Sequence, residues 1–224
     1  MTALRYSLLI FFSAIVVGAC GRSDLIRMRL LVPVGEAKKD HAIVTDQTSA
    51  SSSKSTVNDP KTSGGSFYFL SRSLGLGYTT LTTNIEKEVR STSNDSLILR
   101  EKTTLETKFT DVAFGIGENY SLMWGAGILS GGKLDTSLFY SYSEATDETL
   151  KHDKLAGHSL FMVFGHHGSG FETLLGIRTN YIKADLKDSG SSAETLRTAS
   201  SISYDSTGIR LTTTQVQLGI GVTF

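Results

Sequence analysis

Apolar and polar side chains alternate along most of the chain from residue 66 to the C-terminus. The last ten residues, QVQLGIGVTF, place an apolar side chain at every second position, with Gln, Gly or Thr between them. A period of two is that of a β-strand, and almost no segment has the helical period. The pattern predicts an all-β domain of about eight strands, near residues 66–72, 75–89, 97–117, 120–130, 135–146, 156–166, 170–186 and 206–224.

Two environments produce this alternation, because a soluble sandwich and a membrane barrel both have one apolar face. The polar faces here are mostly Gly, Ser, Thr and Gln rather than Lys and Glu, which favours a crowded barrel interior. In lipid, only a closed sheet leaves no backbone group unpaired. The predicted fold is an antiparallel up-and-down transmembrane β-barrel, with interfacial aromatic residues at Tyr78, Phe109, Tyr120, Tyr140, Tyr142, Tyr181 and Phe224.

The N-terminus predicts export. A positive residue, an apolar stretch over residues 6–17 and then small residues form the layout of a secretory signal peptide over residues 1–19. The apolar stretch is shorter than the ~20 residues of a membrane-spanning helix. The motif VGAC resembles the lipobox of bacterial lipoproteins, which implies lipidation of the single cysteine, Cys20, and, with Gly21 next, the outer membrane. The alternative is cleavage after Ala19 with Cys20 unmodified.

The segment between the signal peptide and the alternating region lacks a strand pattern. Residues 35–65 are rich in Ser, Thr, Lys and Asp, and they have too few aliphatic side chains to offset the entropy of ordering. Residues 20–65 are therefore predicted to be a lipid-anchored segment and flexible linker, and residues 66–224 the barrel. The apolar patch at 25–34 has three interpretations: a short helix, an added strand, or a plug inside the domain.

The strand count also predicts which connections share a side. If Phe224 lies at the periplasmic rim, the loops at 144–154 and 187–205 face outside, and SGGK (130–133) and HHGSG (166–170) are tight inner turns. The short connection GENY, at 117–120, does not fit this arrangement because it would face outside.

The last eight residues, QLGIGVTF, resemble the C-terminal signal of proteins inserted by the outer-membrane barrel assembly machinery. The matching residues are Gln217, Gly219, Val222 and Phe224. Residues 66–224 thus resemble small bacterial outer-membrane β-barrel proteins as a class, of the OmpA/OmpX/OmpW-like kind. The resemblance implies an outer-membrane location, with outer-membrane lipid and the assembly machinery as partners.

The charge balance excludes one class of partner. The chain has 22 basic and 22 acidic residues and no basic run with interleaved aromatic residues, so no nucleic-acid partner is predicted. Charges inside a barrel have to be paired. Five charged residues either form a paired network in the lumen or lie at the rims in water: Arg100, Glu106, Lys108, Glu172 and Arg178.

Some small barrels are lipid-modifying enzymes, so nucleophilic residues need attention. Adjacent His158 and Ser159 should point to opposite faces of a strand, which argues against a catalytic pair. A second cluster lies in a tight turn and lacks the deacylase pattern, in which Asn follows the Ser directly: His166, His167, Ser169 and Glu172. Neighbouring histidines diverge and no ligand completes a metal site. No enzyme activity, metal or cofactor is predicted.

The function predicted is that of an outer-membrane barrel with a structural or surface-interaction role. One alternative is a lipid-anchored soluble β-barrel that binds an apolar ligand. The other is a lipid-modifying barrel enzyme that uses the cluster around His166.

Overall fold

The computed structural model describes residues 26–40, 53–57, 61–140, 148–186 and 209–224. The predicted signal peptide and Cys20 lie outside these residues. In the described part, no helix is long and apolar enough to cross a membrane. The described strands are β1 (Ile26–Asp40), β2 (Ser53–Val57), β3 (Lys61–Ser71), β4 (Leu74–Ser91), β5 (Leu97–Ile116), β6 (Tyr120–Tyr140), β7 (Glu148–Gly168), β8 (Phe171–Leu186) and β9 (Ile209–Thr223).

The strands form a closed antiparallel ring. Its order is β1, β3, β4, β5, β6, β7, β8, β9 and back to β1. The short β2 pairs with the end of β4 that extends past the β3 pairing. It therefore occupies the same place in the ring as β3 and does not add a ninth strand. The fold is therefore an eight-stranded up-and-down β-barrel, as the alternation predicts.

The ring closes where the first strand meets the last. The backbone of Ile26 donates a hydrogen bond to the carbonyl of Phe224 (3.2 Å), and Phe224 donates one back (2.9 Å). The β1–β9 pairing then continues to Asp40, with irregularities after Pro33 and Glu36. Proline has no N–H to donate, so an irregularity beside Pro33 is where a strand can accommodate it.

The predicted number of strands is confirmed, but the count left out one strand and divided another. The patch at 25–34, left open between three interpretations, is part of β1. Residues 120–140 form one strand, where two were predicted. The prediction that SGGK forms a turn is therefore wrong. The segment lies inside β6, beside a register shift opposite Lys108 and Phe109.

The predicted barrel start at residue 66 is also wrong. Residues 26–40 form a strand of the ring, and β2 and the start of β3 pair with β4. In β1, buried Arg27 and Arg29 alternate with exposed apolar residues, so its inner face is charged. In β2 and β3 before residue 66, the residues are mostly Ser, Thr, Lys and Gly, so no apolar alternation marks a strand.

One end of the barrel, the short-turn rim, carries the tight connections. They are Arg72–Ser73, residues 117–119 and Ser169–Gly170, and the start of β1 and Phe224 lie at the same end. HHGSG is thus confirmed as a turn on the side of Phe224. GENY lies on that side too, because β6 is a single strand. The opposite end, the loop rim, carries the turn at residues 92–96 and the longer connections.

The strands are strongly tilted. The tilt follows from the register of the strand pairs. If one moves from Leu30 to its register partner on the next strand, and so on once around the ring, one arrives back on β1 at Asp40, ten residues further along the strand. The partners on the way are Phe67, Tyr78, Thr110, Ile128, His158, Tyr181 and Thr212. That stagger is ~33 Å along the strand against ~38 Å of strand spacing. The strands therefore tilt about 40° from the barrel axis.

The outer surface changes character along the barrel axis. Next to the short-turn rim lies a zone of exposed apolar side chains, the apolar belt, which includes Ile26 to Val34 on β1, Leu160 to Phe164 on β7, Phe171 to Tyr181 on β8 and Leu218 to Phe224 on β9. On β8 this zone covers ten residue steps, which at a tilt of about 40° is a height of about 25 Å.

Nearer the loop rim the outer surface is polar and charged. On β5 the outward side chains change from Ile116 and Val112 to Lys108, Glu106 and Lys102. The inward side chains change in the opposite sense, from Asp111 to the buried Phe109 and Leu105. Phe109 was predicted to be an interfacial aromatic residue, and this is wrong. Tyr78, Tyr120, Tyr181 and Phe224 are exposed as predicted, whereas the side chains of Tyr140 and Tyr142 lie outside the described part.

Candidate functional site in the barrel interior

A buried ion pair lies at the centre of the barrel. Arg178 on β8 and Asp111 on β5 are both fully buried, and the guanidinium donates hydrogen bonds from Nη1 to Oδ2 (2.8 Å) and from Nη2 to Oδ1 (3.0 Å). Parallel bonds of this kind are the strongest geometry available to the two groups. The inward period of the two strands brings them to the same level.

Four further side chains complete what we call the Arg178 network. Nε of Arg178 donates to Asn180 Oδ1 (3.0 Å), and Nη1 donates to Tyr68 Oη and Thr79 Oγ1 (3.1 Å each). Nη2 also donates to Ser159 Oγ. Thr79 donates to Asp111 Oδ2 (2.7 Å), so the carboxylate is bonded from two sides. Every nitrogen of the guanidinium has an acceptor, as burial of a charge requires.

A second charged group, the rim network, lies nearer the short-turn rim. Arg29 on β1 donates to Glu172 on β8 from Nε (2.7 Å) and Nη2 (2.9 Å), and Nη2 also donates to Ser121 Oγ on β6 (2.7 Å). Arg27 Nη1 lies 3.8 Å from Glu172 Oε1, and its Nη2 donates to the carbonyl of Gly117. Two arginines thus face one carboxylate.

Both networks cross the lumen. In the ring of eight, β8 lies opposite β4, and β1 lies opposite β6. The Arg178–Thr79 bond therefore joins opposite walls at one level, and the Arg29–Ser121 bond joins opposite walls at another. Chemically, the two networks connect strands on opposite sides of the barrel. Their arginine N–H groups donate to side chains of other strands, across a lumen that side chains fill.

Apolar side chains fill the interior between and beyond the networks. One buried cluster consists of Leu31, Tyr68, Leu70, Ala113, Met123, Phe161, Val163 and Leu174. The other lies towards the loop rim and consists of Ile85, Leu105, Phe109, Leu134, Ile182, Ala184 and Leu211. Arg178 sits between the rings of Phe109 and Phe161, with Cζ 4.8 and 5.4 Å from their centroids. Such contacts with aromatic faces favour a desolvated guanidinium.

The residues of the predicted assembly signal are split between the two faces of β9. Gln217 is fully buried, with Nε2 3.4 Å from Ser66 Oγ. Gly219 also faces inward, where a Cβ would collide with the carbonyl of Leu30. Phe224 is 70 % exposed at the short-turn rim, and Val222 shares its outward face. Whether the four act as a signal stays a prediction.

The five candidate lumen charges do not form one network. Arg178 and Glu172 are buried inside, but in separate groups. Glu106, Lys108 and Arg100 point outward. Arg100 there pairs with Glu86 (3.1 Å) and Glu88 (2.9 Å) of β4.

The nucleophile candidates are also separated. His158 is exposed and stacks on Tyr181, whereas Ser159 is buried and bonded to Arg178. Of the second cluster, His166 packs outward against Tyr120 at a centroid distance of 5.0 Å. Glu172 instead points inward to Arg29, Ser169 lies in the exposed turn, and His167 Nδ1 lies 3.4 Å from Thr223 Oγ1. Among the described residues, no group of three His, Cys, Asp or Glu could hold a metal ion.

The partners of the two buried charges were missed at the sequence level. Asp111 shares the inward parity of Ala113 and Gly115 in DVAFGIG, so its direction was available from the alternation. Arg27 and Arg29 alternate with apolar residues in IRMRL, which is also a period of two. Which arginine meets which carboxylate depends on the ring register, and no local pattern contains that information.

No protein-family model matches the chain, and no curated protein matches it either. Among solved structures, the chain is similar to the outer membrane protein OprG from Pseudomonas aeruginosa. The two share 13 % identity over 92 % of this chain and 98 % of that one, with a TM-score of 0.49. The assignment of the barrel fold rests on the strand pairing of this chain itself.

Proposed function

We propose that the protein is an outer-membrane β-barrel with a structural or surface-interaction role. The observation that carries this proposal is the apolar belt. It surrounds a closed barrel whose interior holds buried arginine and carboxylate side chains as well as apolar ones, whereas a soluble protein keeps its charges on the outer surface and its apolar side chains inside. On β8, where the belt covers more residue steps than on β1, β7 or β9, its height of about 25 Å matches the ~25 Å apolar band of known membrane barrels. An apolar surface of this extent on a soluble protein would cause association.

The proposed orientation places the short-turn rim in the periplasm. Short periplasmic turns and longer outer loops are the rule for bacterial barrels. The start of β1 lies at this rim, and Cys20 precedes Ile26 by six residues, a reach of at most ~20 Å. A lipid on Cys20 would thus enter the inner leaflet beside the barrel, and Phe224 would meet the assembly machinery from the same side.

A surface role is favoured over that of a diffusion pore. The Arg178 and rim networks join opposite walls, and eight strands leave an interior that side chains fill. Half of β6 extends past the apolar belt with Lys133, Asp135 and Ser137 on its outer side, so the polar half of the barrel would project from the membrane and carry the loops.

Envelope fractionation of the native host tests the membrane assignment. The full-length protein should stay with the outer membrane through carbonate and urea extraction, and it should migrate faster on a gel unless boiled. Release by urea, or release once Cys20 is replaced by Ser, would show that the barrel does not span the membrane.

Epitope accessibility tests the orientation. A tag inserted in the turn at residues 92–96 should be reached by antibody in intact cells, and a tag between Ser169 and Gly170 only after permeabilisation. The reverse pattern would contradict the placement of the short-turn rim in the periplasm.

A further inference from the structure

A groove of about 350 Å³ indents the outer wall of the barrel on β7, β8 and β9. Its outward lining includes His158 on β7, Tyr181 and Lys183 on β8, and Thr212 on β9. It lies at the edge of the apolar belt that is nearer the loop rim. Below it on the same strands are the exposed apolar residues Leu160 and Ile177.

The groove exists because β7 is irregular here and carries small residues. Pairing with β8 shifts between Asp153 and Ala156, and pairing with β6 stops at His158 and resumes only at Lys151. Ala156 is the outward residue at this point and places only a methyl group over the wall, and the inward-facing Gly157 adds no side chain there. The depression is thus a property of the strand geometry and not of one side-chain rotamer.

The chemistry of the lining changes from apolar to cationic towards the loop rim. The rings of His158 and Tyr181 stack with centroids 5.0 Å apart and form one wall. Lys183 is the next outward residue on β8, paired in register with Ala156, and it is one of the residues that line the groove. An aromatic wall with a lysine above it and aliphatic side chains below it matches the order of groups in a phospholipid or lipid A molecule.

We propose that this groove binds the phosphate-bearing headgroup of a membrane lipid, whose acyl chain lies along Leu160 and Ile177. The proposal rests on the membrane-spanning role proposed above, since it requires the groove to lie at the level of the headgroups. Lys183 supplies the charge for the phosphate, and the His158–Tyr181 pair supplies the flat wall for the sugar or glycerol part.

Native mass spectrometry of the full-length barrel in detergent micelles, titrated with diphosphoryl lipid A, tests the proposal. Lys183→Gln should reduce the retained lipid about fivefold, the effect of one surface cation near an anionic lipid. Lys108→Gln is the matched control, because Lys108 is also an exposed outward lysine near the belt edge, on β5. An equal loss of retained lipid in both variants would show that any exposed lysine near the belt attracts the anionic lipid, and it would overturn the proposal.

Ala156→Trp tests whether lipid retention depends on the groove itself or only on the charge of Lys183. It fills the depression and leaves Lys183 in place, so it should lower lipid retention as well, while inorganic phosphate should not displace the lipid. Unchanged retention in Ala156→Trp, or displacement by phosphate alone, contradicts a bound lipid. Both variants should stay heat-modifiable, which shows that they fold. Fractionation of the unchanged protein keeps the two proposals apart: if that protein is neither heat-modifiable nor membrane-inserted, the membrane role itself is refuted.

Discussion

Arg178 and Asp111, which are 67 residues apart in the chain, meet inside the barrel through two hydrogen bonds of 2.8 and 3.0 Å. Both side chains are fully buried, so removal of either leaves the other charge in the barrel interior without its counter-ion. The pair belongs to strands that are not neighbours in the ring, and it therefore links the wall through the interior as well as through the sheet.

Removing one partner of this pair should be costly. Arg178→Met leaves the carboxylate of Asp111 buried without its counter-ion, and the free energy of unfolding should fall by about 3–5 kcal/mol. Equilibrium urea unfolding of the refolded protein in lipid vesicles measures it. The double variant Arg178→Met/Asp111→Leu should lose less than the sum of the two single variants.

Arg100→Gln is the control for that experiment. Arg100 pairs with Glu86 and Glu88 on the outer surface, where its side chain is 44 % exposed. Exposed pairs contribute little, so its loss should cost less than about 1 kcal/mol. Equal losses for the two arginines would mean that the interior of the barrel is hydrated around Arg178.

Gly127 on β6 makes room for the Arg178 network. A Cβ at this position would overlap Asp111 Oδ1 and lie 2.6 Å from Ser159 Oγ. Gly127→Ala should therefore destabilise the barrel by about 1–3 kcal/mol, the usual cost of overpacking. Gly168→Ala, where an added Cβ meets nothing within 4 Å, should leave the urea midpoint unchanged. A neutral Gly127→Ala would place the network elsewhere in the lumen.

The two zones of the outer surface should differ in their tolerance of charge. Ile220 is 63 % exposed within the apolar belt, and Ile220→Arg should cost about 2–4 kcal/mol if the belt faces lipid. Ser137→Arg, on the outward face of β6 towards the loop rim, should be nearly neutral. Both are compared by urea unfolding in vesicles. Similar costs at both positions would contradict a lipid-facing belt.

Phe224 should matter more for assembly than for stability. Its side chain is 70 % exposed, so Phe224→Ala removes few contacts within the barrel. Pulse-chase labelling in cells should show slower appearance of the heat-modifiable form, while refolding into vesicles stays near that of the unchanged protein. Phe171→Ala is the control, since Phe171 is 67 % exposed at the same rim but is not part of the C-terminal signal. Equal delay in both variants would remove the signal role from Phe224.

Closure of the ring can be tested by a disulfide. Leu30 and Ile220 are register partners across the β1–β9 seam. Paired residues of antiparallel strands have Cα atoms about 4.5–5.5 Å apart, within disulfide range. In a Cys20→Ser background, Leu30→Cys/Ile220→Cys should cross-link on oxidation and change the mobility of the boiled protein. Leu30→Cys/Leu175→Cys spans two strands and should not; cross-linking of both pairs would indicate an open, mobile seam.

The barrel class was predictable because most strands have one consistently apolar face. Strands such as β9, with Val216 to Phe224 on the outward side, have the pattern of a membrane strand over most of their length. The number of strands was right only because the count left out β1, whose patch at 25–34 had an added strand as one of three interpretations, and divided β6 into two. Alternation alone thus establishes the fold class more securely than it establishes the members of the ring.

The errors have one physical origin, which is the change of environment along each strand. On β5 the apolar side is outward at Val112 and inward at Phe109, so its face changes across the edge of the apolar belt. A single inward-or-outward assignment for the whole strand then fails on one side of that edge. For the same reason Lys108 and Arg100 were counted as candidate lumen residues, although they project into solvent from the polar half.

The hydrogen bonds between Ile26 and Phe224 have a consequence for the order of events in biogenesis. One partner of β1 is β9, which is the last of the described strands to be synthesised. That edge of β1 therefore stays unpaired through nearly the whole of translation. Such an edge is a template for incorrect pairing, and long-range closure is intrinsically slow. We therefore expect that β1 has to be kept apart from other strands until β9 has been made, and that the yield of folded protein in the cell falls when holding chaperones are scarce.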